Sequence, residues 1–208
     1  MTTQHAGEQI KLAQSDYPIH ELIQRRWSPR AFAARAIEPA KLLSVLEAAR
    51  WSASSSNQQP WFFIVGQRGS RTFERMVDCL MEGNVSWASK ASALIFTVAG
   101  LKSARNDRPN RVALYDLGQA VQNMAVQATA LGLHIHQMGG IHVDKINAEF
   151  QIPPDHTVVT AIAIGYVGDP ESLENERHRE GELATRTRKP LREFVFGGNW
   201  GEEMGIRE

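Results

Sequence analysis

The sequence has little of what marks several classes of protein. Its 208 residues include one cysteine, Cys79, so neither an intrachain disulfide nor a cysteine metal cluster can form. Basic and acidic residues number 23 each, so the basic excess typical of nucleic-acid binders is missing. The longest apolar run, Ala93–Leu101, falls short of the ~18 residues of a membrane-spanning helix. Because Met1–Asp16 is polar and lacks a signal-peptide core, we expect a cytoplasmic protein with no membrane or nucleic-acid partner.

The apolar content, 42%, is sufficient for a folded core. We expect one domain over 1–208, with a core at about 17–170 and a C-terminal arm over 171–208. Residues 171–193 are charged at about half of their positions, and Phe194–Phe196 is apolar again. This pattern favours an arm that ends in a short strand and docks on its own domain or on a second subunit.

Hydrophobic periodicity predicts a mixture of helices and strands along the chain. Strands are predicted over Trp61–Val65, Ala93–Ala99, His134–Gln137 and Val158–Val167. Helices are predicted over Ile19–Arg26, from Glu38-Pro39 onward, over about Ser70–Met81, and over Arg111–Leu131 and Val143–Phe150. Strict β-α-β alternation is weak, so the fold class is predicted to be α+β. The helix over Arg111–Leu131 is apolar on more than one face, which is typical of a helix buried centrally or against a partner chain.

Two segments have side chains suited to a flat, phosphorylated ligand. In extended geometry Arg26, Ser28 and Arg30 would project to one side as a phosphate clamp. The alternative is a solvated helix end whose arginines complement the helix dipole. The polar run Ser52–Trp61 offers hydroxyls, amides and backbone N–H groups to a planar heterocycle, or it is a connecting loop.

Two further features follow the Arg111–Leu131 helix. Met138, Gly139 and Gly140 would allow close approach of a flat ligand to the backbone, or form a turn. His134, His136 and His142 lack a further ligand at a recognised spacing, so we expect no metal site and a solvent-facing strand edge.

Asp116 is expected to cap or orient a neighbour, and Cys79 to pack as a small apolar residue.

Taken together and in order, these segments resemble the nitroreductase family of FMN-dependent oxidoreductases. The resemblance covers about residues 20–196. Its motifs are Arg26-x-Ser28-x-Arg30, Leu46-Glu47-Ala48-Ala49-Arg50, Ser54-Ser55-x-Asn57-x-Gln59-Pro60-Trp61, Gly83-Asn84, Asp116-Leu117-Gly118-x-Ala120-x-Gln122-Asn123, Ala130-Leu131-Gly132-Leu133, Met138-Gly139-Gly140, Ala163-Ile164-Gly165-Tyr166 and Arg188-Lys189-Pro190-Leu191.

The resemblance implies a homodimer with a mixed, mostly antiparallel sheet flanked by helices, a C-terminal arm docked on the partner subunit, and FMN at the subunit interface. The residues that it implies for FMN binding are Arg26, Trp27, Ser28 and Arg30 for the phosphate and pyrimidine, Ala53, Ser54, Ser55 and Asn57 from the other subunit, Asn84, Met138, Gly139 and Gly140 along the ring, and Arg186 and Arg188 closing the phosphate pocket.

The activity implied by the resemblance is electron transfer from NADH or NADPH, through flavin N5, to a small electron-poor acceptor such as a nitroaromatic or quinone. The order would be ping-pong, with no catalytic side chain and no metal. The alternatives are a non-catalytic flavin-binding or sensing protein, and a dehalogenase-like or flavin-fragmenting enzyme with a lid over Leu101–Asn110. The sequence departs from the family at Ala53, where a proline is frequent, and at Trp87, where a basic residue is frequent. The choice between NADH and NADPH stays open.

Overall fold

The computed structural model describes residues 11–205, which form seven α-helices and four β-strands. Most of the polar stretch Met1–Asp16 therefore lies outside the described residues. In chain order the elements are α1 (Glu21–Arg25), α2 (Pro39–Arg50), β1 (Trp61–Gln67), α3 (Arg71–Val77), α4 (Glu82–Ala88), β2 (Ala93–Gly100), α5 (Ala113–Ala130), β3 (His134–Met138), α6 (Val143–Glu149), β4 (His156–Gly165) and α7 (Glu176–Leu183). None of the helices in residues 11–205 is long and apolar enough to cross a membrane.

The four strands form one antiparallel sheet in the order β1-β2-β4-β3, which confirms the predicted α+β class. All eight residues of β2 are buried, as expected for an interior strand. The run of aromatic and β-branched residues over Trp61–Val65 is typical of a buried strand, but β1 lies at the sheet edge and is only partly buried. Phe62 in β1 is 50% exposed. The connections between strands run through helices, so helices cover both faces of the sheet.

Side chains that alternate along β2 supply two apolar layers. Leu94, Phe96 and Val98 pack on one face, in the layer that holds residues of α3, α4 and α6. Ile95 and Ala99 pack on the other face, against α2 and α5. α5 contributes Leu117, Val121, Met124 and Ala128 to this second layer, and these residues form an apolar stripe at helical spacing.

The boundaries of α5 follow the sequence signals closely. The helix runs from Ala113 to Ala130, inside the predicted range. Gly132 follows it with a φ of +72°, a conformation that glycine adopts without steric cost and that commonly ends a helix. The Leu133 N–H then donates to the Ala128 carbonyl at 2.8 Å, which closes the last turn before β3 begins.

Three predictions of secondary structure need correction. The helix predicted over Ser70–Met81 is shorter, since α3 ends at Val77 and α4 begins at Glu82. The polar segment 171–193 contains α7, which apolar periodicity could not reveal because none of its eight residues is a buried hydrophobic. The strand expected at Phe194–Phe196 is reduced to an isolated bridge between Phe196 and Glu203.

The histidines of β3 also depart from expectation, because they are not solvent-facing. The segment after α1 crosses over them, and the Trp27 ring meets the His134 ring edge-on at 5.7 Å between centroids. His136 lies 4.5 Å from Trp87, and its Nδ1 donates to the Pro29 carbonyl at 2.9 Å. Burial lowers the pKa of each imidazole to about 4, so both rings are neutral at pH 7.

We expect acid to destabilise the fold through His134 and His136. Their pKa values of about 4 lie below the ~6.5 of an unfolded histidine, so the unfolded state binds more protons between these values. Stability is therefore complete above pH 6.5 and falls as the pH drops toward 4. Lowering the pH from 7 to 5 should cost about 2 kcal/mol per histidine, measured by urea unfolding. His134→Gln should flatten this dependence. Equal unfolding free energies at pH 7 and pH 5 would contradict the burial argument.

Candidate functional site

A basic cluster forms where α1 ends and the chain becomes extended. Arg26 leaves the helix with φ −62° and ψ 122°, and its guanidinium donates to the Ser28 hydroxyl at 3.2 Å. Burial and the nearby Arg188 guanidinium lower the pKa of Arg26. Segments that are distant in sequence thus meet here, since Arg188 follows α7 near the end of the chain.

Arg186 joins the cluster but uses its guanidinium differently. Its two terminal nitrogens donate to the backbone carbonyls of Arg26, at 2.6 Å, and of Gln24. These are carbonyls at the end of α1 that the helix itself leaves unpaired. Burial, followed by the Arg26 and Arg188 charges, lowers the pKa of Arg186. Arg186 therefore fixes the chain after α7 against the start of the predicted clamp.

The cluster carries positive charge with no neutralising acid. Among residues 11–205, no carboxylate lies within ion-pair distance of the Arg26, Arg186 or Arg188 guanidiniums. Such like charges repel one another unless an anion lies between them. Guanidiniums and a hydroxyl are donors that match the oxygens of a phosphate group. The donor set therefore fits a phosphate.

Arg30 was predicted to share one side with Arg26 and Ser28, but its guanidinium lies 5.8 Å from the centre of the Trp87 ring. Its backbone N–H donates to the Glu182 carboxylate at 2.8 Å, and the Ala31 N–H donates to the same carboxylate at 3.4 Å. Burial raises the pKa of Glu182, while these two N–H groups oppose that shift. Glu182 thus fastens α7 to the end of the segment Arg26–Arg30, which we call the clamp segment.

Trp27, implied as a cofactor contact, has a buried side chain. One side of the indole meets His134, and the Lys11 ammonium lies 5.2 Å from the ring centre. Lys11 is itself buried, and its ammonium donates to the carbonyls of Gly181, at 2.7 Å, and Ala184. Trp27 can therefore offer a ligand only its backbone.

Asn84 and Gly140 lie together beside β3. The Asn84 amide donates to the Gly140 carbonyl at 3.0 Å. A Cβ atom on Gly140 would lie 2.6 Å from that amide nitrogen, so any side chain at this position would displace the Asn84 amide. Gly139 is exposed with open space around its Cα, whereas the Met138 side chain is buried in the core. This strip therefore presents backbone and one amide.

The loop over Ser54–Asn57 lies at the beginning of α5. Its geometry is held by the buried Asp116 carboxylate, which accepts from the Ser55 N–H at 3.1 Å. This confirms that Asp116 orients a neighbour. The Ser54 hydroxyl accepts from the Gln59 N–H at 3.0 Å. Ala53, Ser55 and Asn57 are exposed.

One chain does not bring the loop and the basic cluster together. The loop is tied to Asp116 in the first turn of α5, whereas Arg26 lies beside His134, just beyond the other end of that helix. At about 1.5 Å per residue, Asp116 and Ala130 are ~21 Å apart along the axis. The predicted site residues therefore form two groups at opposite ends of α5.

Several residues near these groups were not predicted to belong to a site. Lys11 and Glu182 anchor the clamp, and no sequence motif marks them because their partners are backbone groups. Arg105 donates to the Ser56 carbonyl at 2.7 Å, so the 101–110 segment contacts the loop. Trp87 is buried and stacks on Phe32, with 6.4 Å between ring centres. Within residues 11–205, no group of three or more His, Cys, Asp or Glu could hold a metal ion.

Comparisons with known proteins extend over most of the chain. A solved structure described as an oxidoreductase containing FMN superposes with a TM-score of 0.86 at 37% sequence identity, covering 91% of this chain and 96% of that one. An uncharacterized 15.4 kDa protein of Mycolicibacterium smegmatis is 32% identical over 150 residues, which are 68% of this chain and 99% of that protein. A putative NADH dehydrogenase/NAD(P)H nitroreductase of Archaeoglobus fulgidus is 26% identical over 153 residues, which are 72% of this chain and 85% of that protein.

The family model that matches the chain is described as the nitroreductase family, and it aligns with residues 23–86 and 80–166. These ranges include the clamp segment, the Ser54–Asn57 loop, Asn84 and the Met138–Gly140 strip. By its sequence, by its antiparallel sheet with helices on both faces, and by this match, the chain belongs to the nitroreductase family.

Proposed function

We propose that this protein is an FMN-dependent oxidoreductase that takes electrons from NADH or NADPH and delivers them to a small electron-poor acceptor, such as a nitroaromatic or a quinone. The observation that carries the proposal is the cluster of Arg26, Arg186 and Arg188 guanidiniums, which has no carboxylate partner in the described part of the chain. Two comparisons support the proposal. The solved structure of 37% identity is described as an oxidoreductase containing FMN, and the Archaeoglobus fulgidus relative is named a putative NADH dehydrogenase/NAD(P)H nitroreductase. A cytoplasmic location is part of the proposal.

The phosphate of FMN would bind between Arg26, Ser28 and Arg188. Arg186 would act as a positioning residue, because its guanidinium is already used on backbone carbonyls. A terminal phosphomonoester carries nearly two negative charges at pH 7 and would relieve the repulsion among the guanidiniums. One phosphate site is sufficient for FMN, and the sequence has no dinucleotide-binding fingerprint that would favour FAD.

The ring system would lie along Asn84, Gly139 and Gly140, whose amide and open backbone leave room for a flat group. When bound, FMN would supply N5 as the atom that accepts a hydride from NADH or NADPH and from which the electrons pass to the acceptor. The protein would then hold the reactants in position and stabilise the charge of the reduced flavin. The backbone strip and the arginines favour negative charge on the bound group. Donor and acceptor would occupy the same space in turn, in a ping-pong order.

The second half of the site would come from a second copy of the chain. α5 holds one charged residue, the buried Asp116, so its exposed face is uncharged over 18 residues. That face includes Leu114 and Tyr115, which are 52% and 70% exposed. Pairing two copies of α5 in antiparallel orientation would bring the Ser54–Asn57 loop of one copy to the arginine cluster of the other. We therefore propose a homodimer with FMN at the interface.

The C-terminal arm provides further apolar surface for this dimer. Phe194 is 57% exposed, and Trp200, which contacts the Phe196 ring at 5.1 Å, is 92% exposed. Large aromatic side chains on a short exposed segment are typical of interface anchors. We propose that the arm, beyond the point where Arg186 fixes it, docks on the partner subunit.

The function is tested by the spectrum of the purified protein. We expect flavin absorption, bleaching by NADH or NADPH under nitrogen, and recovery on adding a quinone. Heat release and chromatography should identify the flavin as FMN. FAD as the main species would overturn the phosphate assignment. A stable flavin colour with no reduction would instead favour the non-catalytic flavin-binding protein.

Arg188→Ala should weaken FMN binding by roughly 10- to 150-fold, because it removes a charge-assisted hydrogen bond worth about 1.5–3 kcal/mol. The double variant Arg26→Ala/Arg188→Ala should lose less FMN binding free energy than the sum of the losses in the two single variants, because both guanidiniums would bind one phosphate. Titration of the apoprotein with FMN, followed by flavin fluorescence, measures the affinities. Arg192→Ala removes an exposed arginine from the same arm and serves as the matched control. Unchanged affinity in Arg188→Ala would remove Arg188 from the site.

Gly118→Arg should convert the dimer to a monomer and release the flavin. A Cβ atom on Gly118 meets no atom within 4 Å in the monomer, so the chain can fold, but a guanidinium there would be buried against the partner. Light scattering and the flavin spectrum report the two effects. Ala148→Arg, on the opposite face of the sheet, should leave both unchanged. A monomeric Gly118→Arg protein with normal flavin affinity would disprove the shared site.

A further inference from the structure

A polar recess adjoins the Ser54–Asn57 loop. It has a volume of about 360 Å³ and is lined by Ser55, Gln58, Ser103, Arg108, Asn110 and Arg111, among others. The size suits part of a nucleotide. We refer to it as the Arg108–Arg111 recess. It shares Ser55 with the loop that the proposed function assigns to the flavin, so a ligand that extends from the flavin could reach it.

The recess is basic. Arg108 and Arg111 are exposed, and among residues 11–205 no carboxylate lies within ion-pair distance of either guanidinium. The nearby acids are already engaged. Asp107 pairs with Lys102 at 3.3 Å, and the Asp116 carboxylate is buried against the Ser55 N–H. The first turn of α5, which begins at Ala113 without a side-chain cap, adds the positive end of a helix dipole.

Two buried polar atoms at the recess also have no hydrogen-bond partner among residues 11–205. They are the Asn110 Nδ2, a donor, and the Gln58 Oε1, an acceptor. The orientation of the Asn110 amide is fixed, since its Oδ1 accepts from the Val112 N–H at 3.3 Å. Buried polar groups normally find partners. Together with Arg108 and Arg111, these amide residues give the recess a polar, basic lining, which suits a phosphorylated group that also carries hydroxyls, as the adenosine part of a dinucleotide does.

We infer that the Arg108–Arg111 recess binds the 2′-phosphate of NADPH, and that the protein therefore prefers NADPH to NADH. This inference rests on the proposed function for the role of NADPH as donor. Arg108 and Arg111 would hold the phosphomonoester, which NADH lacks. Arg105 would not contact the nucleotide, because its guanidinium holds the Ser56 carbonyl and so the shape of the loop.

The direct test is calorimetry on the protein as purified, with adenosine 2′,5′-bisphosphate and adenosine 5′-phosphate as probes. We expect the bisphosphate to bind at least tenfold more tightly, and the advantage to shrink about tenfold in an Arg108→Gln/Arg111→Gln variant, which corresponds to losing one or more charge-assisted hydrogen bonds. Increasing the salt concentration should weaken the binding of the bisphosphate more than the binding of adenosine 5′-phosphate. Arg71→Gln, which removes an exposed arginine at the start of α3, is the matched control and should behave as the wild type.

Turnover gives a second measurement. The ratio of kcat/KM for NADPH to that for NADH should fall about tenfold in the double variant and stay unchanged in Arg71→Gln. Equal binding of the two adenosine probes, or a double variant with wild-type preference for the bisphosphate, would overturn the inference. Inorganic phosphate that competes as strongly as the bisphosphate would also overturn it, by showing an unspecific anion site. Since calorimetry needs no turnover, a protein that oxidises neither dinucleotide would refute the proposed function while the recess is still tested.

Discussion

The packing of α5 across the sheet is the constraint on which the other features depend. Its apolar stripe fills the layer against β2 and β4, and this fixes the position of both helix ends. At one end Asp116 holds the Ser54–Asn57 loop, and at the other end the chain turns at Gly132 into β3 and meets the segment after α1. The length of the helix thus sets the separation of the two groups of site residues. In the proposed dimer that separation is bridged by a second copy.

The arginine cluster is maintained by hydrogen bonds that are not made to acids. Arg186 is held by carbonyls at the end of α1, and this brings Arg26 and Arg188 close despite their like charge. Repulsion of this kind disfavours the free protein and favours any anion that enters. The proposed phosphate site therefore depends on a contact between the beginning and the end of the chain. FMN binding and the docking of the arm should consequently be linked.

Two buried ionisable residues, Glu182 and Lys11, stabilise the clamp segment and the adjoining end of α7. Glu182 accepts from the backbone of Arg30 and Ala31, while Lys11 donates to carbonyls at the end of α7. Each charged group forms hydrogen bonds with backbone groups and not with the arginine side chains of the cluster. The imidazoles beneath, kept neutral by burial, add no charge to the phosphate site. The positive charge of the clamp thus stays available to a ligand.

The sequence by itself determined the elements whose signals are local. Periodicity and a glycine cap gave α5, β-branched and apolar runs gave β2 and β4, and Pro39 marked the start of α2. Ordered motifs indicated the family. These features are predictable because helix caps, turn glycines and apolar spacing act over a few residues.

The tertiary structure alone decided the features that depend on contacts between distant segments. α7 has no apolar stripe and is defined by its Asn175 cap and the buried Glu182, which bonds to a segment about 150 positions earlier. The burial of His134 and His136 follows from the chain that crosses β3, and a strand pattern carries no information on what covers it. The separation of the loop from the arginines, and the recess beside Arg108, were likewise decided by the way α5 packs. Local propensity acts along the chain, whereas the site is built from side chains that meet only when the sheet and its helices have assembled.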